Sequence, residues 1–324
     1  MAGWLRSVVL CVLAVAGSAA ALAGEVSERS FASSLLGRPY QYSVYLPDGY
    51  ASDTRHYPVL YLLHGAGGDH RAWAKRGDIR RIADQLIASG EIPPAIIIMP
   101  GCPGCWWVDG ARESGERAFW EELLPHVART FRVIDRREGR LVAGLSAGGF
   151  GAVRFAFKYP DRIAAAAALS PAIYSALPPS RSAARKQHAF MTMDGTFDAG
   201  AWKTANYTNL IDGYFAQPYR VPLYLSSGDH DRFGIAFETA MLFQHLFRRQ
   251  PDKVEFRVID GGHSWKVWCA SIVGAMRYMF KFAARPGDPA PPPYPSTVAG
   301  ALAAPTVAAS RRLTTPLDTN ADPH

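Results

Sequence analysis

Three short apolar runs constrain this chain more than any other feature. Val59–Leu63, Ala95–Met99 and Leu141–Gly144 carry almost no polar residue, as strands covered on both faces do. Ala164–Leu169, Pro222–Ser226 and Val254–Ile259 read as further strands, bounded by turn residues. Helical patterns fall between the runs, over Trp73–Ala88, Phe119–Thr130, Ala147–Tyr159, Ile235–Arg249 and Trp265–Ala283. Strands alternating with helices predict an α/β chain, a mainly parallel sheet with helices on both faces. Arg38–Leu46 instead alternates polar and apolar residues, the pattern of a half-buried antiparallel strand. Right-handed crossovers bring the C-terminal ends of the parallel strands to one edge, and ligands bind outside that edge.

At that edge the chain carries Gly144-Leu145-Ser146-Ala147-Gly148-Gly149, between a buried strand and a helix. A G-x-S-x-G at a strand-to-helix junction is the pattern of a nucleophile elbow. The serine sits in a sharp, strained turn, where side chains two residues away on either side would strike neighbouring backbone. The turn exposes the hydroxyl and places the next backbone N–H at a helix start.

A serine hydroxyl needs a base to take its proton, and the base needs an acid to orient it. In this arrangement the partners follow the serine in the order acid, then histidine. His263 fits the base, because Val258-Ile259 ends a strand, Asp260-Gly261-Gly262 turns, and a helix follows. The acid lies in Ser227-Gly228-Asp229-His230-Asp231-Arg232-Phe233, directly after another strand. Asp229 and Asp231 both qualify, since either could reach an imidazole from this loop. An oxyanion needs donors. The N–H of Ala147 is one candidate, and the loop Leu62-Leu63-His64-Gly65-Ala66-Gly67-Gly68 supplies the other through Ala66, with Gly65 next.

Taken together, Leu62-Leu63-His64-Gly65, the elbow, Ser170-Pro171, Gly228-x-x-Asp231 and Gly262-His263-x-Trp265 resemble the Putative esterase (esterase D-like) family of α/β-hydrolases, from about Tyr40 to Ala283. That family includes feruloyl and acetyl-xylan esterases and the antigen 85 mycolyltransferases. The resemblance implies an α/β-hydrolase fold, favours Asp231 as the acid, and extends to Glu121-Glu122-Leu123-Leu124-Pro125, a recurrent structural helix. Gly101-Cys102-Pro103-Gly104-Cys105-Trp106-Trp107 departs from it, because a cysteine pair replaces a polar, glycine-rich loop.

The implied activity is an exported serine carboxylic ester hydrolase with a Ser146–Asp231–His263 triad, working through an acyl-enzyme on a small-molecule or carbohydrate-linked ester. Acyl transfer to a sugar or lipid hydroxyl uses the same triad, and a catalytically silent envelope or binding protein is the rival of a different class. The aromatics nearest the site are Trp73, Trp106, Trp107, Tyr174, Trp202 and Trp265, whose flat faces suit a phenolic or sugar group; Trp73, Trp106, Trp107 and Trp265 are the expected substrate contacts. No metal or organic cofactor is implied.

The 324 residues carry a net charge of +7 without the basic stripe of a nucleic-acid binder. Arg6, an apolar run from Ser7 to Ala16 and Ala21-Leu22-Ala23 read as an export signal over residues 1–23, too short to anchor in a bilayer. A secreted or periplasmic protein follows, without stable membrane insertion. Cys11 leaves with the signal; Cys102 and Cys105 could pair in an oxidising compartment, and Cys269 reads as a buried thiol. Residues 24–284 form the expected catalytic domain, with a lid-like insertion over about 172–220. The Pro- and Ala-rich stretch 285–324 reads as a disordered tail.

Overall fold

The computed structural model describes residues 23–102, 104–110 and 113–288. All but the last residue of the expected signal, and all but the first few of the expected tail, lie outside them. The elements in chain order are β1 (Glu25–Ser33), β2 (Arg38–Leu46), β3 (Val59–Leu63), α1 (Ala72–Arg76), α2 (Ile79–Ala88), β4 (Ile96–Pro100) and α3 (Gly115–Arg117). A π-helical turn (Ala118–Leu123) runs into α4 (Leu124–Thr130), followed by β5 (Arg140–Leu145), α5 (Ala147–Lys158) and β6 (Ala165–Leu169). The chain continues through α6 (Ala199–Ala205), α7 (Tyr207–Ala216), β7 (Leu223–Gly228), α8 (Ile235–Phe247), β8 (Val254–Ile259) and α9 (Trp265–Met279).

The eight strands form one sheet in the order β1-β2-β4-β3-β5-β6-β7-β8. β1 and β2 pair antiparallel, as do β2 and β4, and every other pair is parallel. Side chains alternate between the faces, as strand geometry requires. Val59, Tyr61 and Leu63 enter one apolar layer with Phe150 and Phe157 of α5 and Tyr214 of α7. Leu60 and Leu62 enter the other, with Ile82 and Leu86 of α2 and Ile272 and Met276 of α9. The chain leaves β3 for β4 on one side and returns to β5 on the other, so the strand order reverses around β3. A crevice opens at such a reversal, beyond the strands' C-terminal ends.

Several expectations need correcting. The single helix over Trp73–Ala88 is two, broken at Gly77-Asp78, where Asp78 takes a left-handed φ of 48°. A Cβ at Gly77 would stand 2.5 Å from the Trp73 ring, so close packing sets the break. The helix expected to run to Ala283 stops at Met279 and tightens into a 3₁₀ turn. Strand β1 had no apolar signal, because it is an edge strand whose residues mostly face water. Cys269 is half-buried, its Sγ 3.7 Å from the carbonyl oxygens of Arg76 and Gly77. Glu122 accepts from Ser34 N–H (2.9 Å) and Leu35 N–H (3.1 Å), which ties the β1–β2 turn to the π-helical turn.

Candidate active site

The elbow departs from the allowed backbone regions at one residue. Ser146 has φ 53° and ψ −113°, a conformation that costs on the order of 1–3 kcal/mol for a non-glycine residue. Its N–H donates to Leu169 O (2.9 Å), and its carbonyl accepts from Phe150 N–H and Ala172 N–H, both 3.0 Å. The flanking glycines are required by contact. A Cβ on Gly144 would lie 2.4 Å from the Gly148 carbonyl carbon, and one on Gly148 would lie 2.5 Å from Leu63 O.

The Ser146 hydroxyl lies 2.9 Å from His263 Nε2, and His263 Nδ1 lies 2.7 Å from Asp231 Oδ2. A carboxylate only accepts, so Nδ1 carries the proton and Nε2 is free to accept from the serine. The Asp231 side chain is fully buried, and its other oxygen accepts the Phe233 N–H at 3.0 Å. Trp268 and Phe233 meet the imidazole edge-on, with ring centroids 5.0 and 5.1 Å away.

Asp229, the other candidate acid, points elsewhere. It accepts from Gly261 N–H (2.9 Å) and pairs with His230 (2.7 Å), and these bonds hold its carboxyl below the usual carboxylate range. It staples the loop after β7 to the loop after β8. Gly228 permits that approach, since a Cβ there would stand 2.2 Å from Gly261 O. Asp229, His230 and Asp260 sit close enough to share an ion but are all exposed, and Lys266 lies 3.5 Å from Asp260.

Ala147 is the first residue of α5, so its N–H has no acceptor within the helix. Ala147 and Ala66 line one recess of about 10 Å³, together with His64, Gly65, Trp106 and Trp107. His64, which precedes the serine and so does not fit the order acid then histidine, holds this recess together. Its Nδ1–H donates to Gly65 O (2.8 Å), its Nε2 accepts the Cys102 N–H (3.0 Å), and its carbonyl accepts the Trp107 indole N–H (3.1 Å). Burial lowers its pKa to about 4, so it is neutral. Its signal in the sequence was a histidine set beside the glycines of the expected oxyanion loop.

The loop after β4 packs over His64. Cys102 and Cys105 are joined in a disulfide, and Trp106 and Trp107 both adopt left-handed φ, 50° and 60°. Gly115 makes room for the pair, as a Cβ there would stand 2.6 Å from Cys105 Cβ.

Beside the recess lies a cavity of about 640 Å³, walled by Ser146, His263, Trp106, Tyr174, Trp265 and Arg76 among others. Of the four expected substrate contacts, Trp106 and Trp265 are on its wall. Trp73 and Trp107 are not; each is 1% exposed and tied to backbone, Trp73 to Leu63 O and Trp107 to His64 O. Their role is to back the wall, Trp73 meeting Trp265 edge-on with centroids 5.2 Å apart. Trp202 is core, packed on Phe150 and Phe190. The expected insertion divides its contacts. Ala172, Tyr174, Ser182 and Ala183 reach the cavity, whereas α7 packs on α5.

The family model described as Putative esterase matches residues 33–279. An esterase of Mycobacterium tuberculosis is 38% identical over 147 residues, 43% of this chain and 31% of that protein. An endo-1,4-beta-xylanase/feruloyl esterase of Xylanibacter ruminicola is 31% identical over 151 residues, 43% of this chain and 20% of that protein. The match thus spans a third or less of these relatives' length. The solved structure of a ferulic acid esterase superposes with a TM-score of 0.67 at 27% identity, covering 81% of this chain and 98% of the other.

Proposed function

The chain belongs to the Putative esterase family, and on that premise we propose that it is an exported serine carboxylic ester hydrolase working through an acyl-enzyme. One observation carries the reading: an unbroken hydrogen-bonded line from Ser146 Oγ through His263 to Asp231, at 2.9 and 2.7 Å, on a strained serine.

In this mechanism Ser146 Oγ attacks the ester carbonyl while His263 Nε2 takes its proton. Asp231 holds the imidazole in the required tautomer and stabilises the imidazolium. The oxyanion forms in the recess between the Ala66 and Ala147 N–H groups. His263 then gives the proton to the leaving alcohol, and water repeats the sequence to release the acid. The aromatic wall of Trp106 and Trp265 suits a phenolic or sugar ester, in keeping with the feruloyl and ferulic acid esterases that the chain resembles. Residues 24–284 carry this activity. Export rests on the sequence of residues 1–23, and among the described residues no helix is long and apolar enough to cross a membrane.

The test is Ser146→Ala, assayed on p-nitrophenyl acetate and methyl ferulate. Turnover should fall by about four orders of magnitude or more, with the thermal midpoint preserved. A folded variant that still turns over either ester at the wild-type rate overturns the assignment.

A further inference from the structure

The cavity at Ser146 does not end at Trp265. It shares Gly67, Gly68, Ala72 and Arg76 with a second cleft of about 280 Å³, whose remaining walls are Asp69, Arg71 and Lys75. This cleft is cationic. Asp69 is its one acid, and it is spent on Arg71, at 2.5 Å. Lys75 and Arg76 are exposed and make no ion pair among the described residues. Arg76 lies over the Trp265 ring, 5.3 Å from its centroid, which places a guanidinium on the boundary of the two spaces.

Another stretch of the cavity wall repeats the sign. Arg181 and Arg232 lie over the ring of Phe233, which lines the catalytic cavity, at 5.7 and 5.2 Å, and neither has an acidic partner among the described residues. Lys266 lines the cavity as well and lies 3.5 Å from the exposed Asp260. Lys75 and Arg76 on the cleft, and Arg181 and Arg232 over a residue of the cavity wall, are four cations without an acidic partner among the described residues; such a group raises the local concentration of anions, and the effect falls with salt.

We propose that the Arg71–Lys75–Arg76 cleft binds a negatively charged part of the substrate, so that the preferred ester carries a carboxylate or phosphate beyond its scissile bond. This rests on the ester hydrolase reading and adds a substrate class to it. Lys75 and Arg76 are the specificity-determining residues.

The experiment compares 4-acetoxybenzoate and 4-acetoxyphenyl phosphate with neutral 4-acetoxybenzamide, as ratios of kcat/KM. The wild-type enzyme should prefer the anionic esters. The preference should fall about fivefold to tenfold in Lys75→Gln/Arg76→Gln, the scale expected from two exposed charges. It should shrink similarly between about 0.02 M and about 0.5 M salt. The larger of the two preferences identifies the anion, a carboxylated or a phosphorylated substrate. Arg248→Gln, in a separate cleft beside Asp212 and Phe215, controls for net charge and should leave the ratio in place. A wild-type ratio of one, a ratio that survives the double substitution, or an equal fall in Arg248→Gln each overturns the proposal. Binding of 4-acetamidobenzoate against 4-acetamidobenzamide, followed by tryptophan fluorescence, separates the two readings. Anion selectivity in binding with no turnover of any ester overturns the hydrolase reading alone, and equal binding overturns the cleft.

Discussion

At the scale of single residues, the site is built on positions where no other side chain fits. Gly148 touches Leu63 O so closely that an added methyl would stand 2.5 Å away. Gly148→Ala should therefore push the elbow off β3, cost about 2–3 kcal/mol of stability and lower kcat. Urea melts and ester turnover measure both; an unchanged melt would show that the elbow can move. Ser146 itself read correctly as a residue in a strained turn, because the glycine spacing is a local property of the chain. His64 read as a member of the oxyanion loop but not as the group that ties that loop down. Its partners, Cys102 N–H and Gly65 O, lie on two loops, and only one of them is near it in sequence.

At the scale of elements, the loop after β4 shows how a short covalent link can shape a binding wall. Two consecutive tryptophans with left-handed φ are costly for bulky residues, and the loop is held by the disulfide and by Trp107's bond to His64 O. Closing so short a ring contributes about 2 kcal/mol by chain entropy. Cys102→Ser/Cys105→Ser should lose about that much stability and raise KM more than it lowers kcat, since Trp106 is wall rather than nucleophile. A raised KM in the wild type after mild reduction would agree, and an unchanged KM in both the reduced wild type and the double variant would not. The start of β1 bears on export. Gly24 is buried, a Cβ there would stand 2.4 Å from the Tyr45 ring, and its N–H donates to Asp84 Oδ1 at 2.9 Å. Cleavage before Gly24 would leave a terminal ammonium facing that carboxylate. Under the proposed export, mass spectrometry of the processed protein should find Gly24 at its N-terminus, and Asp84→Asn should lower the melting temperature of that form more than that of an Ala23-extended one.

At the scale of the whole molecule, buried charge and buried imidazole make stability fall with acid. His64 is held neutral, at a pKa of about 4 against 6.5 unfolded. A depressed folded pKa means that the unfolded chain takes up protons first, so this stability is present above about pH 6.5 and is lost as pH falls toward 4. The loss is about 3 kcal/mol. Glu116 adds to it at lower pH. Burial raises its carboxyl, but Arg154, Lys158 and Tyr159 outweigh that and hold it below the usual glutamate range. Its contribution is present above about pH 4.5 and lost below. These bonds join α3 to the elbow helix α5, with Arg154 Nε 2.8 Å from Glu116 Oε2. Urea midpoints should decline between pH 7 and pH 4.5 in the wild type and far less in His64→Gln. An equal decline in both would assign the slope elsewhere.

The sequence by itself determined the layered sheet, the elbow and the loops bearing His263 and the candidate oxyanion donors, because periodicity and glycine spacing are local and survive in one dimension. Spacing alone left Asp229 and Asp231 level, since both lie on one loop within two residues, and only the family resemblance favoured Asp231. The tertiary structure turns Asp231 to His263 and Asp229 to Gly261, because Gly228 lets two loops meet backbone to backbone. Only the fold decided which tryptophans face the cavity, because each wall is made from strand ends far apart in the chain. It also brought Lys75 and Arg76 to a cleft that adjoins the cavity, and Arg181 and Arg232 over Phe233 of the cavity wall, a charge pattern that exists only once distant segments are brought together.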